Sequence, residues 1–156
     1  MNVRKPADPA DDVTTGAIDT AVVEAFLGYG TRRASEVIHG HFIRRMASLE
    51  LRPVSFTVLA LAGRNPGITA SQLCQILDLL SPNLVGLVKQ LQDRELIERR
   101  PHPTDGRAMG LHLTTGGRQL LQQASALAHA ADDEASARLT PEERQTLTRL
   151  LRKIYG

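Results

Sequence analysis

The chain has 156 residues, a formal net charge of +2 at pH 7 and a pI near 9.0, a size that accommodates one domain with a real core. Leu and Ala dominate, aromatic residues make up only 3% and Trp is absent, which favours helices that complete their core against a partner. The single cysteine, Cys74, excludes an intrachain disulfide framework, and the lack of a signal-peptide core or a membrane-length apolar run predicts a cytoplasmic protein.

The first fifty residues divide into an arm and a helix. Residues 1–17 mix Pro, Asp, Ala and Thr without periodicity and are predicted to form a flexible N-terminal arm. Between about residues 19 and 49, apolar side chains recur at steps of three and four, which predicts a long amphipathic helix. Gly28 and Gly30 weaken it, since each glycine costs about 1 kcal/mol relative to alanine, and they predict a kink or a close helix crossing.

Proline and turn residues delimit the next two helices. Pro53 ends the first helix, because it disfavours helical geometry in the residue before it, and it suits the first turn of a second helix at about Val54 to Ala62. Residues 63–67 are dense in turn formers. Thr69 is then predicted to be the N-cap of a third helix, Ala70 to Leu77, with Leu73 and Ile76 apolar.

A fourth helix follows after only residues 78–80, and this short connection is typical of a helix-turn-helix. Ser81 and Pro82 are predicted to start it, as a cap hydroxyl and a proline at the first helical position. An apolar stripe at i, i+3, i+4 and i+7 predicts its buried side: Leu84, Leu87, Val88 and Leu91.

The opposite side of the fourth helix has the composition of a surface that reads DNA. The amides of Asn83 and Gln90 can pair with base edges, and Lys89 can neutralise a phosphate. Val85 can contact a thymine methyl, and Gly86 removes bulk where backbone and DNA would approach each other. An ordinary solvent-exposed helix face is the alternative interpretation.

Two strands and a basic loop come next. Residues 96–100 and 108–113 read as strands, the second alternating Met109, Leu111 and Leu113 against Gly110 and His112. The connection contains two prolines, turns at Asp105-Gly106 and presents Arg107 beside the turn. An arginine on a protruding loop can enter the minor groove of DNA, while an ordinary charged hairpin tip is the alternative.

Two further helices complete the chain. Thr114 is predicted to cap a helix of about residues 116–138. Thr140, Pro141 and Glu143 supply an N-cap, a proline at the first helical position and a capping-box glutamate for the last helix. This helix is predicted to bury an apolar stripe consisting of Leu147, Leu150, Leu151 and Ile154.

Four segments together carry a resemblance: Leu51-Arg52-Pro53 with Phe56 and Val58-Leu59, Leu84 to Leu91 followed by Asp93-Arg94-Glu95-Leu96-Ile97, Asp105-Gly106-Arg107-Ala108, and Leu113-Thr114-Thr115-Gly116-Gly117. In this order they resemble the MarR/SlyA family of winged-helix transcriptional regulators. The resemblance implies a mainly α (α+β) fold in which residues 18–156 form one domain. Within it, about residues 53–114 would be a winged helix-turn-helix with a two-stranded wing, and about residues 19–49 and 116–156 would be dimerisation helices.

The resemblance also implies a function. It predicts a homodimeric, sequence-specific regulator, a repressor, that binds a pseudo-palindromic operator in double-stranded DNA with half-sites about one helical turn apart. The implied DNA-contacting residues are Ser81, Pro82, Asn83, Val85, Gly86, Lys89, Gln90, Asp105 and Arg107. The family responds to small aromatic or lipophilic anions, and His41, Arg45 and Phe56 are predicted to line a site for an aromatic acid or its thioester.

Other chemistries have weaker support. Cys74 could make the protein a redox-responsive regulator, but no cationic residue adjoins it in sequence, which favours a small buried side chain. His39 and His41 point to different helix faces, and no carboxylate cluster has ligand spacing, so neither metal nor cofactor is predicted. Without a phosphate-binding glycine loop or a nucleophile signature, no enzyme is expected. A winged helix that contacts only proteins is the remaining alternative.

Overall fold

The computed structural model describes residues 18–101 and 108–156, so the predicted arm of residues 1–17 lies outside it. The chain divides between Arg33 and Ala34 into two compact units. The first unit contains α1, Ala21–Glu24, and the beginning of α2, Leu27–Met46. The predicted first helix is therefore interrupted at residues 25–26, ahead of Gly28 and Gly30. Within the described ranges, a Cβ added at either glycine would meet nothing within 4 Å, so no helix crossing within the first unit requires glycine there.

The second unit is a mainly helical winged helix-turn-helix, which confirms the predicted fold class. After α2, its elements are a 3-10 turn (Ala47–Leu49), α3 (Pro53–Arg64), β1 (Ile68–Thr69), α4 (Ala70–Leu77), α5 (Ser81–Asp93), β2 (Ile97–Pro101), β3 (Met109–Leu113), α6 (Thr115–Ala135) and α7 (Pro141–Tyr155). No helix in the described ranges is long and apolar enough to cross a membrane.

Side-chain caps start three of these helices as predicted. Thr69 and Thr140 each accept a hydrogen bond from the third amide of their helix. The side-chain oxygens of Gln72 and Glu143 accept from the backbone amides of Thr69 and Thr140, which completes two capping boxes. Thr114 likewise accepts from the amide of Gly117. The cap predicted at Ser81 is wrong: α5 begins one residue earlier, with Leu80 as N-cap and no side-chain bond. Since Ser81 is itself helical, its hydroxyl does not occupy the capping position.

The sheet contains one strand, β1, that the sequence does not predict. Its order is β1-β3-β2, entirely antiparallel, with Ile68 opposite Leu111 and Ile97 opposite Leu113. The two residues of β1 are too few to display alternation. The alternation predicted for β3 also fails at its start, where Met109 is exposed and Gly110 is buried. A Cβ on Gly110 would lie 2.7 Å from the Gly67 oxygen, so backbone packing explains the reversal.

The core lies between the helices of the winged domain and the sheet. It is built from aliphatic side chains that include Met46, Leu59, Leu73, Leu84, Leu91 and Leu111, all nearly or fully inaccessible. Leu84, Val88 and Leu91 are buried and Leu87 is partly buried, as the stripe on α5 predicts. Ile76 of α4 is by contrast exposed. Ala124 of α6 is buried in the same core, and its small side chain permits a close approach to the neighbouring helix.

The last helix leaves its apolar stripe uncovered. No residue of α7 is buried, and Leu147, Leu150 and Ile154 are 43%, 46% and 63% exposed, while Leu151 is partly covered. The prediction that this stripe is buried is wrong for the single chain. No described segment of the second unit covers that side of the helix.

Candidate DNA-binding surface

One exposed face of α5 holds most of the predicted contact residues. Ser81, Pro82, Asn83, Val85, Gly86, Lys89 and Gln90 are all exposed. The opposite stripe is anchored in the core, because Leu84 and Val88 are inaccessible and Leu91 is 2% exposed. The buried stripe fixes which way the helix faces, and the predicted residues share the surface that remains. Their contacts with DNA stay a prediction.

Gly86 forms a smooth patch at the centre of this face. A Cβ at that position would meet nothing within 4 Å in the described chain, so no intramolecular contact requires glycine there. Glycine in a helix interior costs about 1 kcal/mol relative to alanine. The Val85 side chain is half exposed beside it. The patch is therefore suited to a partner that approaches the helix backbone closely.

The cationic side chains at the end of α5 and on β2 form exposed contacts with neighbouring polar or acidic side chains. Lys89 Nζ lies 2.8 Å from Asp93 Oδ2, one helical turn away. An exposed pair of this kind contributes only about 0.3–0.5 kcal/mol, so a phosphate could replace Asp93 at little cost. On β2, Arg99 Nε donates to Gln92 Oε1 at 3.2 Å. Arg100 forms an ion pair with Glu98.

The wing is described as far as the base of its loop. Pro101 of β2 pairs with Met109 of β3, so the two ends of the loop lie side by side. Asp105 and Arg107, which are predicted to act in the wing, lie outside the described residues.

The C-terminal end of α5 is held from two directions. The Arg94 guanidinium donates to the carbonyl oxygens of Leu49 and Glu50 at the end of the 3-10 turn. The carbonyl of Glu95 accepts a 2.6 Å hydrogen bond from the Thr114 hydroxyl, which also caps α6. Arg94 stands in the sequence segment that carries the family resemblance, but nothing in the local pattern predicts partners 44 and 45 residues away.

A cleft of about 780 Å³ separates α5 from α2 and α3. Its walls are mainly apolar and include Ile43, Met46, Leu51, Val54 and Leu87. The polar side chains that line it are His39, Glu50, Arg52, Ser55, Asn83 and Gln90. This volume suits a small organic ligand. Two of the predicted readout residues, Asn83 and Gln90, therefore lie both on the exposed face of α5 and at the edge of the cleft.

The residues predicted to line a ligand site are placed elsewhere. His41 Nδ1 lies 3.2 Å from Glu134 Oε2, and Arg45 donates to Glu134 Oε1, which joins α2 to α6. These hydrogen bonds from Arg45 and His41 lower the pKa of Glu134 to about 2. Phe56 packs edge-on against Phe42, with ring centroids 5.5 Å apart. None of the three residues lines the cleft, so their predicted role in ligand binding gains no support from this geometry.

Redox and metal chemistry are the remaining candidates, and the described parts of the chain contain no cluster of side chains suited to either. Cys74 is a half-buried free thiol that packs against the core. No group of three or more His, Cys, Asp or Glu side chains within residues 18–101 and 108–156 is placed to hold a metal ion.

Comparison with known proteins agrees with this architecture. The model of the MarR family matches residues 49–108, which include α3 to β2. A putative transcriptional regulatory protein for the hcr operon of Thauera aromatica is 34% identical over 130 residues, which cover 83% of this chain and 78% of that protein.

Two solved structures extend the similarity to most of the chain. The transcriptional repressor CouR, bound to a 23-mer DNA duplex, has a TM-score of 0.85 and 30% identity over 90% of this chain and 100% of its own. A MarR family protein of Mycobacterium tuberculosis in complex with salicylic acid has a TM-score of 0.68 and 27% identity over 83% and 96%. The relatives are transcriptional regulators, and the chain belongs to the MarR family of transcriptional regulators.

Proposed function

We propose that the protein is a homodimeric cytoplasmic repressor that binds a pseudo-palindromic operator through α5 and the wing, and that a small aromatic or lipophilic anion releases it. The observation that carries the proposal is the polar, glycine-centred face of α5, exposed opposite a stripe in which Leu84, Val88 and Leu91 are buried. A helix presented in this way fits the major groove. CouR, to which the chain is similar, is bound to duplex DNA in its structure.

Within this proposal, residue chemistry assigns the contacts. Asn83 and Gln90 pair with base edges, and Val85 contacts a thymine methyl. Lys89 leaves Asp93 for a phosphate, and Ser81 donates to a neighbouring phosphate at the start of the helix. Arg107 enters the minor groove from the wing.

The exposed stripe of α7 supports a homodimer. Leu147, Leu150 and Ile154 form a row at helical spacing that the described chain leaves uncovered. Contiguous apolar surface of this kind marks an interaction site, and a second copy of the same chain is the commonest partner. A dimer would present two α5 helices to two half-sites.

The cleft between α2, α3 and α5 supports an effector site. Its apolar walls would hold a ring, and Arg52 would supply a donor for a carboxylate. A molecule in the cleft would touch Asn83 and Gln90, so it would compete with their positioning on DNA. The similar M. tuberculosis protein is in complex with salicylic acid.

Salt titration tests the DNA-binding part. Fluorescence anisotropy with a duplex selected by the protein from random sequences should show affinity that falls steeply with salt. Lys89→Ala and Arg107→Ala should each weaken binding and reduce the slope by about one. Arg138→Ala, in the exposed turn between α6 and α7, is the matched control and should leave both unchanged. If neither salt nor the first two substitutions matters, the protein does not read DNA, and a winged helix that contacts proteins becomes the better interpretation.

Arg52→Ala tests the effector part. Salicylate should raise the melting temperature of the wild-type protein and weaken its duplex binding. In Arg52→Ala both effects should diminish while affinity for the duplex without salicylate is kept. If neither salicylate nor related phenolic acids and thioesters affect the wild type, the effector part of the proposal is wrong.

Peroxide treatment tests the redox alternative. That alternative requires that peroxide change the duplex affinity of the wild type and that Cys74→Ser abolish this change.

A further inference from the structure

Arg94, at the end of α5, makes a contact that the proposed DNA readout does not use. Its Nη1 donates to the Glu50 carbonyl at 2.9 Å, and its Nη2 donates to the Leu49 carbonyl at 3.0 Å. Leu49 is the last residue of the 3-10 turn that continues α2, and Glu50 adopts left-handed geometry with φ 49°. A cation there satisfies carbonyls that the helical segment leaves free and matches the negative end of the helix dipole.

The adjoining residue is fixed to a different helix. Glu95 also adopts left-handed geometry, with φ 55°, and turns the chain from α5 toward β2. Its carbonyl accepts from the Thr114 hydroxyl, and the same hydroxyl accepts from the Gly117 amide at the start of α6. The end of α5 is therefore tied to the end of α2 by Arg94 and to the start of α6 through Thr114.

The cleft increases the contribution of the Arg94 hydrogen bonds to the position of α5. Because a cleft of about 780 Å³ lies between α2, α3 and α5, the side of α5 that faces it packs against α2 and α3 less closely than the buried stripe packs against the core. Glu50 lines this cleft, and the Arg94 guanidinium joins α5 to Glu50 and Leu49 with two charge-assisted hydrogen bonds in a planar fork. A lysine could supply the charge but not the fork.

We propose that Arg94 is a positioning residue that sets the orientation of α5 relative to α2, and thereby the half-site spacing that the dimer accepts. This inference rests on the proposed function, in which α2 belongs to the dimerisation helices and α5 reads the operator. Arg94 acts through α5 and not by contact with DNA, since two backbone carbonyls of the same chain hold its guanidinium. Loss of the fork would let α5 adopt several orientations, of which only a fraction fits one spacing.

The test compares wild type, Arg94→Ala and Arg94→Lys, with Arg138→Ala, in the exposed turn between α6 and α7, as matched control. The probes are the selected duplex and two versions with one base pair added or removed between half-sites. Wild type and Arg138→Ala should discriminate between the spacings. Arg94→Ala should lose about fivefold or more in affinity for the selected spacing and much of the discrimination. Arg94→Lys should recover part of each.

The readouts separate positioning from other roles. The salt slope of Arg94→Ala should equal that of wild type, because no phosphate contact is lost; a smaller slope would mean that Arg94 contacts DNA, and would overturn the inference. A lower melting temperature with unchanged affinity and discrimination would show a structural role only and would also overturn it. If the wild type selects no duplex at all, the proposed function fails first and the inference fails with it.

Discussion

Gly117→Ala probes the packing that joins the start of α6 to the end of α5. A Cβ at Gly117 would lie 1.9 Å from the Leu96 carbonyl oxygen and 2.9 Å from its carbon. Carbon and oxygen in contact are normally about 3.3 Å apart or more, so α6 or the corner after α5 would have to move by about 1.4 Å. The obstacle is backbone, which cannot rotate away as a flexible side chain could.

The neighbouring glycine supplies the control. A Cβ at Gly116 would meet its nearest atoms, the Glu95 oxygen and Thr114 Oγ1, at 3.8 Å, an ordinary contact. Gly116→Ala should therefore gain helix propensity of at most about 1 kcal/mol. For Gly117→Ala the same gain is opposed by an overpacking cost of about 1–3 kcal/mol. We expect Gly117→Ala to be the less stable variant by about 1–3 kcal/mol.

Urea and thermal unfolding followed by far-UV circular dichroism measure this difference. In a chain of this size it corresponds to melting temperatures separated by roughly 2–12 °C. Protein concentration must be equal, because dimerisation couples stability to concentration. If Gly117→Ala proves as stable as Gly116→Ala, the close approach of α6 to Leu96 does not constrain the fold and the reasoning is refuted.

Three further substitutions give distinct outcomes. Gly86→Ala should raise the free energy of unfolding by up to about 1 kcal/mol, since a Cβ there meets nothing in the described chain. The same substitution should weaken duplex binding, measured by fluorescence anisotropy. Unchanged affinity would argue against close approach of DNA to that face. Glu134 has its pKa lowered from 4.5 to about 2, so its stabilisation is present above pH 4.5 and disappears as pH falls toward 2. Acid unfolding of Glu134→Gln should accordingly be less pH-dependent in that window, and a profile parallel to wild type would contradict the role of the contact with Arg45 and His41. Glu95→Gly should raise the urea midpoint, because it relieves a left-handed conformation that costs a non-glycine residue about 1 kcal/mol. Glu98→Gly, in the extended β2, should lower the midpoint. A lower midpoint for both variants would show that the conformation at Glu95 is not strained.

Much of the fold is legible in the sequence because its signals are local. Thr69, Thr114 and Thr140 satisfy amides only three residues away, so each helix start is predictable. The stripe from Leu84 to Leu91 repeats with the helical period, and it correctly indicates which face of α5 is free. Where the local signal is ambiguous, as at Ser81, or too short, as at β1, the prediction fails or is not made.

The sequence by itself therefore determined most of the succession of helices and strands, the family, and which face of α5 is exposed. Only the tertiary structure decided what meets across the chain: Arg94 reaches carbonyls 44 and 45 residues away, and Arg45 reaches a carboxylate 89 residues away. It also placed the predicted ligand-lining residues apart from a cleft edged by Asn83 and Gln90, and left the stripe of α7 exposed. The physical reason is that caps and periodicity depend on neighbours within about one helical turn, whereas such contacts depend on how the elements pack.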